Sequence, residues 1–124
     1  MIESTFTRSV HTKLPKEVYH WKISDRFTAG VPDAYYSGDK CDLWIEYKWI
    51  NTLPKKLVTP KLSKLQLEWL EDRRAQGRNV AVIVGSPKGH LIFLDGEWVQ
   101  GKAPTELYTT REIANWITNT VQDT

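Results

Sequence analysis

The segment Asn79 to Ser86, NVAVIVGS, is apolar on both of its alternating faces, and no other stretch constrains the fold as strongly. A strand of this kind must be covered above and below, so it reads as a buried strand in a sheet with helices packed on it. The residues before it agree. From Leu62 to Gln76 the apolar positions Leu62, Leu65, Trp69 and Leu70 follow helical spacing, with Ser63 opening the helix and Gly77 closing it. Further upstream, DAYY and CDLWIEYKW are β-rich runs around Ser37-Gly38-Asp39-Lys40, which predicts a hairpin. A strand, then a helix, then a buried strand is the crossover that joins parallel neighbours.

The remaining segments complete an α/β chain with a central mixed β-sheet flanked by helices. Ile2, Phe6, Val10 and Leu14 recur every four residues and predict a first helix that Pro15 ends. EVYHWKIS alternates Tyr19, Trp21 and Ile23 with Val18, His20 and Lys22, the period of a strand. Residues 50 to 61, with Pro54 and Pro60, read as a long loop. Together with NVAVIVGS, LIFLD and, after a short turn, EWVQ give two or three strands after the second helix. TTREIANWITNTV predicts a closing amphipathic helix over about 109–121. Of the six tryptophans, Trp69 and Trp116 fall at core positions, while Trp44 and Trp49 fall where they could touch a ligand.

A chain of 124 residues fits one domain over residues 1–124. The single Cys41 cannot form an internal bridge, which favours a reducing, intracellular and cytoplasmic setting. No apolar stretch approaches the roughly 20 residues needed to span a bilayer, and MIESTFTRSV lacks the pattern of a signal peptide, so no membrane partner is expected. The net charge of +2 conceals an asymmetry: residues 1–88 carry 15 basic and 10 acidic side chains, and residues 89–124 carry 2 and 5. Between Lys48 and Glu68 there is no acid, while Lys55, Lys56, Lys61 and Lys64 all fall there. Such a run is most often a solvated loop, but one that follows directly from a reactive strand is placed to neutralise phosphates. Ser24 and Arg26 are further candidates for backbone contacts, and nothing in the chain resembles a base-reading helix or finger.

The chemistry concentrates in Gly30-Val31-Pro32-Asp33 and Glu46-Tyr47-Lys48. Residues two apart on a strand share a face, so Glu46 and Lys48 point together, and pairing of DAYY with DLWIEYKW brings Asp33 beside them. Two carboxylates converging on one face repel, and a divalent cation relieves that repulsion. Oxygen-only ligands favour Mg²⁺, with Mn²⁺ as its substitute, over Zn²⁺. A neighbouring lysine then orients water and stabilises the developing charge of a phosphodiester under attack. The same residues also have plainer readings: Pro32-Asp33 as a turn start, and Glu46 with Lys48 as a same-face ion pair.

This constellation resembles the PD-(D/E)XK nuclease superfamily, and most closely its VRR-NUC and Holliday-junction-resolvase-like branch. There a Gly-x-Pro-Asp element, an ExK strand and a helix opening Ser-x-x-Gln occur in this order; here they are Gly30 to Asp33, Glu46 to Lys48, and Ser63 to Gln66. The resemblance covers residues 1 to about 95 and implies a restriction-endonuclease-like fold. It further implies Asp33 and Glu46 as metal ligands, joined by the Tyr47 carbonyl, with Lys48 assisting the attacking water. Glu3 matches a helix carboxylate that many members add to the metal site, and Gln66 a glutamine at the edge of the active site. Two alternatives remain open on the residues alone: Glu3 as a first-turn acid favoured by the helix dipole, and Gln66 as the reciprocal partner of Ser63 in a capping box. The implied reaction is Mg²⁺-dependent hydrolysis of DNA leaving 5′-phosphate and 3′-hydroxyl ends, selective for branched structure and carried out by a homodimer. An exonuclease or nicking, restriction-like enzyme, a binding module without catalysis and a protein-interaction domain are the competing classes.

Overall fold

Strands β3 (Asp42–Trp49) and β4 (Val80–Gly85) run parallel, and helix α2 (Lys64–Ala75) makes the crossover between them. Around this pair the computed structural model, which describes residues 1–24 and 28–123, builds one five-stranded sheet. On one side β1 (Tyr19–Lys22) and β2 (Ala34–Ser37) pair antiparallel as a meander into β3; on the other, β5 (Leu91–Phe93) pairs antiparallel with β4. Helices α1 (Glu3–His11), α3 (Glu97–Gln100) and α4 (Thr110–Val121) complete the order.

The period of two divides the sheet into two chemically different faces. Leu43, Ile45 and Tyr47 of β3 and Ala81 and Ile83 of β4 pack beneath Phe6 and Val10 of α1 and Ile113, Ile117 and Val121 of α4. Val80, Val82 and Val84 turn the other way, against Leu70 of α2, Trp98 of α3 and Val58 of the long loop. β4 is buried at every residue, as its composition requires. Glu46 and Lys48 therefore emerge on the α2 face, and Tyr47 on the α1 face.

Local chemistry fixes the ends of the crossover. Ser63 and Gln66 form a reciprocal capping box at the start of α2. At its end the Arg78 amide reaches the Arg73 carbonyl and the Gly77 amide that of Arg74, satisfying two orphan carbonyls. α4 begins with its own capping box, Thr109 with Glu112. Its last turn clasps the β2–β3 hairpin, since the Lys40 and Cys41 amides both donate to the Val121 carbonyl.

Three segments depart from the pattern in the sequence. α1 ends at His11, short of Leu14 and Pro15, and Ile2 is exposed at its start. EWVQ is helical rather than extended: Asp95 and Gly96 both take positive φ, and the Leu94 amide is capped by Glu97 Oε1 at 2.8 Å, which winds the chain. The turn drives Trp98 into the core at 1% exposure, so Trp98 is the central tryptophan, whereas Trp69 and Trp116 are half-buried. β1 is exposed at all four residues and forms the edge of the sheet. No helix among the described residues is long and apolar enough to cross a membrane.

A line of hydroxyls crosses the α1 face. Tyr47 Oη lies 2.6 Å from Tyr36 Oη, which lies 2.7 Å from His11 Nε2. Burial, with the charges of His20 and Lys22, lowers the His11 pKa to about 4, so the ring is neutral near pH 7 and able to accept from Tyr36. These bonds fix the Tyr47 ring, which Phe6 meets edge-on at 5.5 Å, and with it the β3 segment that carries Glu46 and Lys48.

Candidate active site

The site begins with the way β2 stops. Its last pair with β3 is Ala34 with Ile45, and continuing that register would set Pro32 opposite Tyr47. Proline has no N–H, so it cannot return a ladder bond to the Tyr47 carbonyl. The Tyr47 amide is instead taken by Asp33 Oδ2 at 2.9 Å. The carboxylate of Asp33 is thereby tied to the strand that bears Glu46. Gly30, with φ of 88°, lets the approaching loop lie against α2: a Cβ there would come within 2.5 Å of the Leu65 carbonyl oxygen.

Glu46 is 3% exposed and is held by two partners. Gln66 Nε2 donates to Glu46 Oε2 at 3.0 Å, and Lys48 Nζ lies 3.4 Å from the same oxygen. Lys48 Nζ also donates to Gln66 Oε1 at 3.2 Å, closing a triangle. Gln66 Oε1 accepts the Ser63 amide as well, at 2.9 Å, so Gln66 completes the capping box of α2 and also bonds to Glu46 and Lys48. The other carboxylate oxygen, Glu46 Oε1, is buried and has no partner among the described residues.

The electrostatics follow from that placement. Burial, and then the charge of Asp33, raises the Glu46 pKa to about 8 against the pull of Lys48, with Glu3 adding to the rise. Burial also raises Asp33, while the Tyr47 amide and the Lys48 charge oppose it. Two carboxylates that resist ionising together, with an orphaned oxygen between protein groups, fit a small oxygen-preferring dication. The Tyr47 carbonyl adds a third oxygen on the same side, because the N–H and C=O of an extended residue face the same neighbour.

Glu3 stands at the rim. It lines a cavity of about 310 Å³ together with Lys48, Pro54, Val58 and Lys61, and its charge is felt by Asp33 and Glu46. Among the described residues no three His, Cys, Asp or Glu side chains gather closely enough to hold a metal. Of the basic loop, Lys61 shares this cavity, Lys55 and Lys56 are exposed, and Lys64 sits 4.0 Å from Glu68 on α2. Ser24 lines a separate groove beside Trp21 and Trp44. Arg26 lies outside the described residues. The sequence reading missed Lys22, whose charge lowers Asp33; only the β1–β2 register, with Lys22 opposite Ala34, reveals that it is close.

No family model matches the sequence, and no curated protein matches it. Among solved structures the chain is similar to Hjc of Archaeoglobus fulgidus, a Holliday junction resolvase from an archaeal hyperthermophile, with a TM-score of 0.56 and 17% identity over 90% of this chain and 98% of that one. At that identity the likeness establishes the fold, the α+β architecture of that nuclease, and the narrower VRR-NUC resemblance rests on the motif residues alone.

Proposed function

We propose that this chain is a divalent-cation-dependent DNA endonuclease, selective for branched DNA and acting as a homodimer. The observation that carries the reading is the buried Glu46 carboxylate, one oxygen held by Lys48 and Gln66 and the other without a partner among the described residues, in a fold shared with a Holliday junction resolvase. Asp33, Glu46 and the Tyr47 carbonyl would hold Mg²⁺, or Mn²⁺ in its place, with Glu3 as an outer carboxylate; the ion supplies positive charge against the scissile phosphate.

The protein groups divide the remaining work. Lys48 Nζ has three N–H groups, of which Gln66 and Glu46 engage two, and the third can hold the attacking water or a phosphate oxygen. Gln66 keeps the ammonium and the carboxylate in fixed relation, so neither has to reorganise during reaction. Lys61 at the cavity wall and Lys55 and Lys56 beyond it attract the flanking phosphates. Cutting a four-way junction symmetrically needs two such sites, hence a pair of chains.

The test is incubation with four-way junction, flap, single-stranded, linear duplex and closed circular DNA, with and without Mg²⁺. Cleavage of the junction at opposed positions, leaving 5′-phosphate and 3′-hydroxyl ends that ligase reseals, is expected. Absence of cleavage of every substrate in Mg²⁺ and in Mn²⁺ would sink the enzymatic reading. For the loop, replacing Lys55 and Lys56 by Ala should weaken DNA binding and flatten its salt dependence by up to about two units of slope, near −0.9 for each phosphate no longer neutralised. An unchanged slope measured by anisotropy at several salt concentrations removes both lysines from the interface.

A further inference from the structure

The face of the sheet that carries Glu46 and Lys48 is covered by α2 over β4, but a row of aromatic rings lies on it across β1, β2 and β3. Tyr19 meets Tyr35 at 6.4 Å between centroids, Tyr35 meets Trp44 at 4.6 Å, and Trp44 meets Trp69 of α2 at 5.3 Å. The Arg73 guanidinium sits over Trp69 at 5.2 Å and closes the row with a positive charge. Trp21, opposite Tyr35 in the register and on the same face, is 50% exposed, and Tyr19 is 59% exposed. Isolated surface aromatics are ordinary, whereas a contiguous run of them marks a binding surface.

We propose that this aromatic row is a stacking platform for unpaired nucleic-acid bases beside the cleavage site. Trp44 precedes Glu46 by two residues on one face of β3, a separation of about 7 Å along a strand. An open groove of about 480 Å³ runs from Trp21 and Trp44 to Ser24 and Val31, two residues before Asp33. A second opening beyond Trp44 is bordered by Arg78 and Asp42, and Asp42 accepts a bond from Ser37 at 3.0 Å. Aromatic rings, tilted against one another and flanked by Arg73 and Arg78, with Tyr35 and Trp44 within two residues of Asp33 and Glu46 along the chain, suit a strand whose bases stack while its phosphates meet cations. A duplex keeps its bases inside and cannot use such a row. The platform thus favours, among branched substrates, those that expose unpaired bases next to the scissile phosphate, and its link to cleavage rests on the nuclease reading above.

The experiment measures binding of the whole chain to oligothymidylate and to a blunt duplex of equal length, in EDTA so that no strand is cut. Trp21→Ala should lower affinity for oligothymidylate by about ten-fold, Trp21→Phe should keep it within about two-fold of wild type, and duplex binding and the salt slope should stay the same. Bound oligothymidylate should also quench tryptophan fluorescence in wild type more than in Trp21→Ala. Equal affinities for both probes in Trp21→Ala and wild type overturn the platform, as does an equal loss on both probes. A dimer that Trp21→Ala splits, with oligothymidylate affinity unchanged, makes the row an interface between copies and overturns it too. Cleavage assays separate the two readings: an inert wild type with Trp21-dependent oligothymidylate binding overturns the nuclease and supports the platform, and active cleavage with Trp21-independent binding does the reverse.

Discussion

Replacing Glu46 by Gln is expected to reduce cleavage by about 10²–10³-fold or more and, at pH 8, to make the folded chain more stable. The loss of activity follows from removing one of the two carboxylates that converge at the site. The gain in stability follows from burial. Glu46 is 3% exposed, its Oε1 has no partner among the described residues, and its pKa is raised to about 8. A carboxyl whose folded pKa lies above its unfolded value of 4.5 costs nothing below that pH; the cost grows through the interval and is complete above about 8. A neutral amide of the same shape avoids it, keeps an acceptor for Gln66 Nε2 and Lys48 Nζ, and removes the repulsion with Asp33. Exchanging a strained buried charge for a neutral isostere is expected to stabilise by about 1–3 kcal/mol. Thermal or urea unfolding at pH 8 and pH 4.5, without divalent ions, checks this. A gain of the same size at both values, or a loss at pH 8, would mean that Glu46 carries no such burden.

That conflict between stability and use explains which parts of the site are legible in the sequence. Asp33, Glu46 and Lys48 can be placed together from alternation and one hairpin turn alone, because β2 and β3 are local and their register follows from the turn between them. The β3–α2–β4 crossover is equally legible, since the burial of β4 on both faces is written into its composition. Gln66 is half legible. Ser63-x-x-Gln66 announces a capping box, but the bond to Glu46 spans 20 residues and depends on how α2 lies across the sheet. EWVQ misleads because four residues cannot display a period, and the backbone of Asp95 and Gly96 decides the outcome. The Tyr47–Tyr36–His11 line has no sequence signature at all, because it exists only once α1 packs over β2 and β3. Trp21, Tyr35 and Trp44 occupy matching phases of three strands, a coincidence visible only after the two pairings are known.

Mg²⁺ is expected to raise the melting temperature of the wild-type chain, and to do so more at pH 8.5 than at pH 6. An ion present at about a hundred times its dissociation constant stabilises by about 2.7 kcal/mol, which for a chain of this size corresponds to about 10 °C. The pH order follows from the proton it displaces. Below about 8 the bare site holds a proton on Glu46, and an incoming cation must expel it; above that value the carboxylate is already ionised and repelled by Asp33, so the ion is bound without that competition. The bare chain behaves in the opposite sense, with the Glu46 contribution to stability falling as pH rises from about 4.5 to about 8. EDTA should cancel the rise, and Asp33→Ala should abolish it by removing the carboxylate tied to the Tyr47 amide. Scanning calorimetry with and without Mg²⁺ at the two pH values decides the matter. A rise equal at both, or one that survives in Asp33→Ala, would show that the ion binds elsewhere.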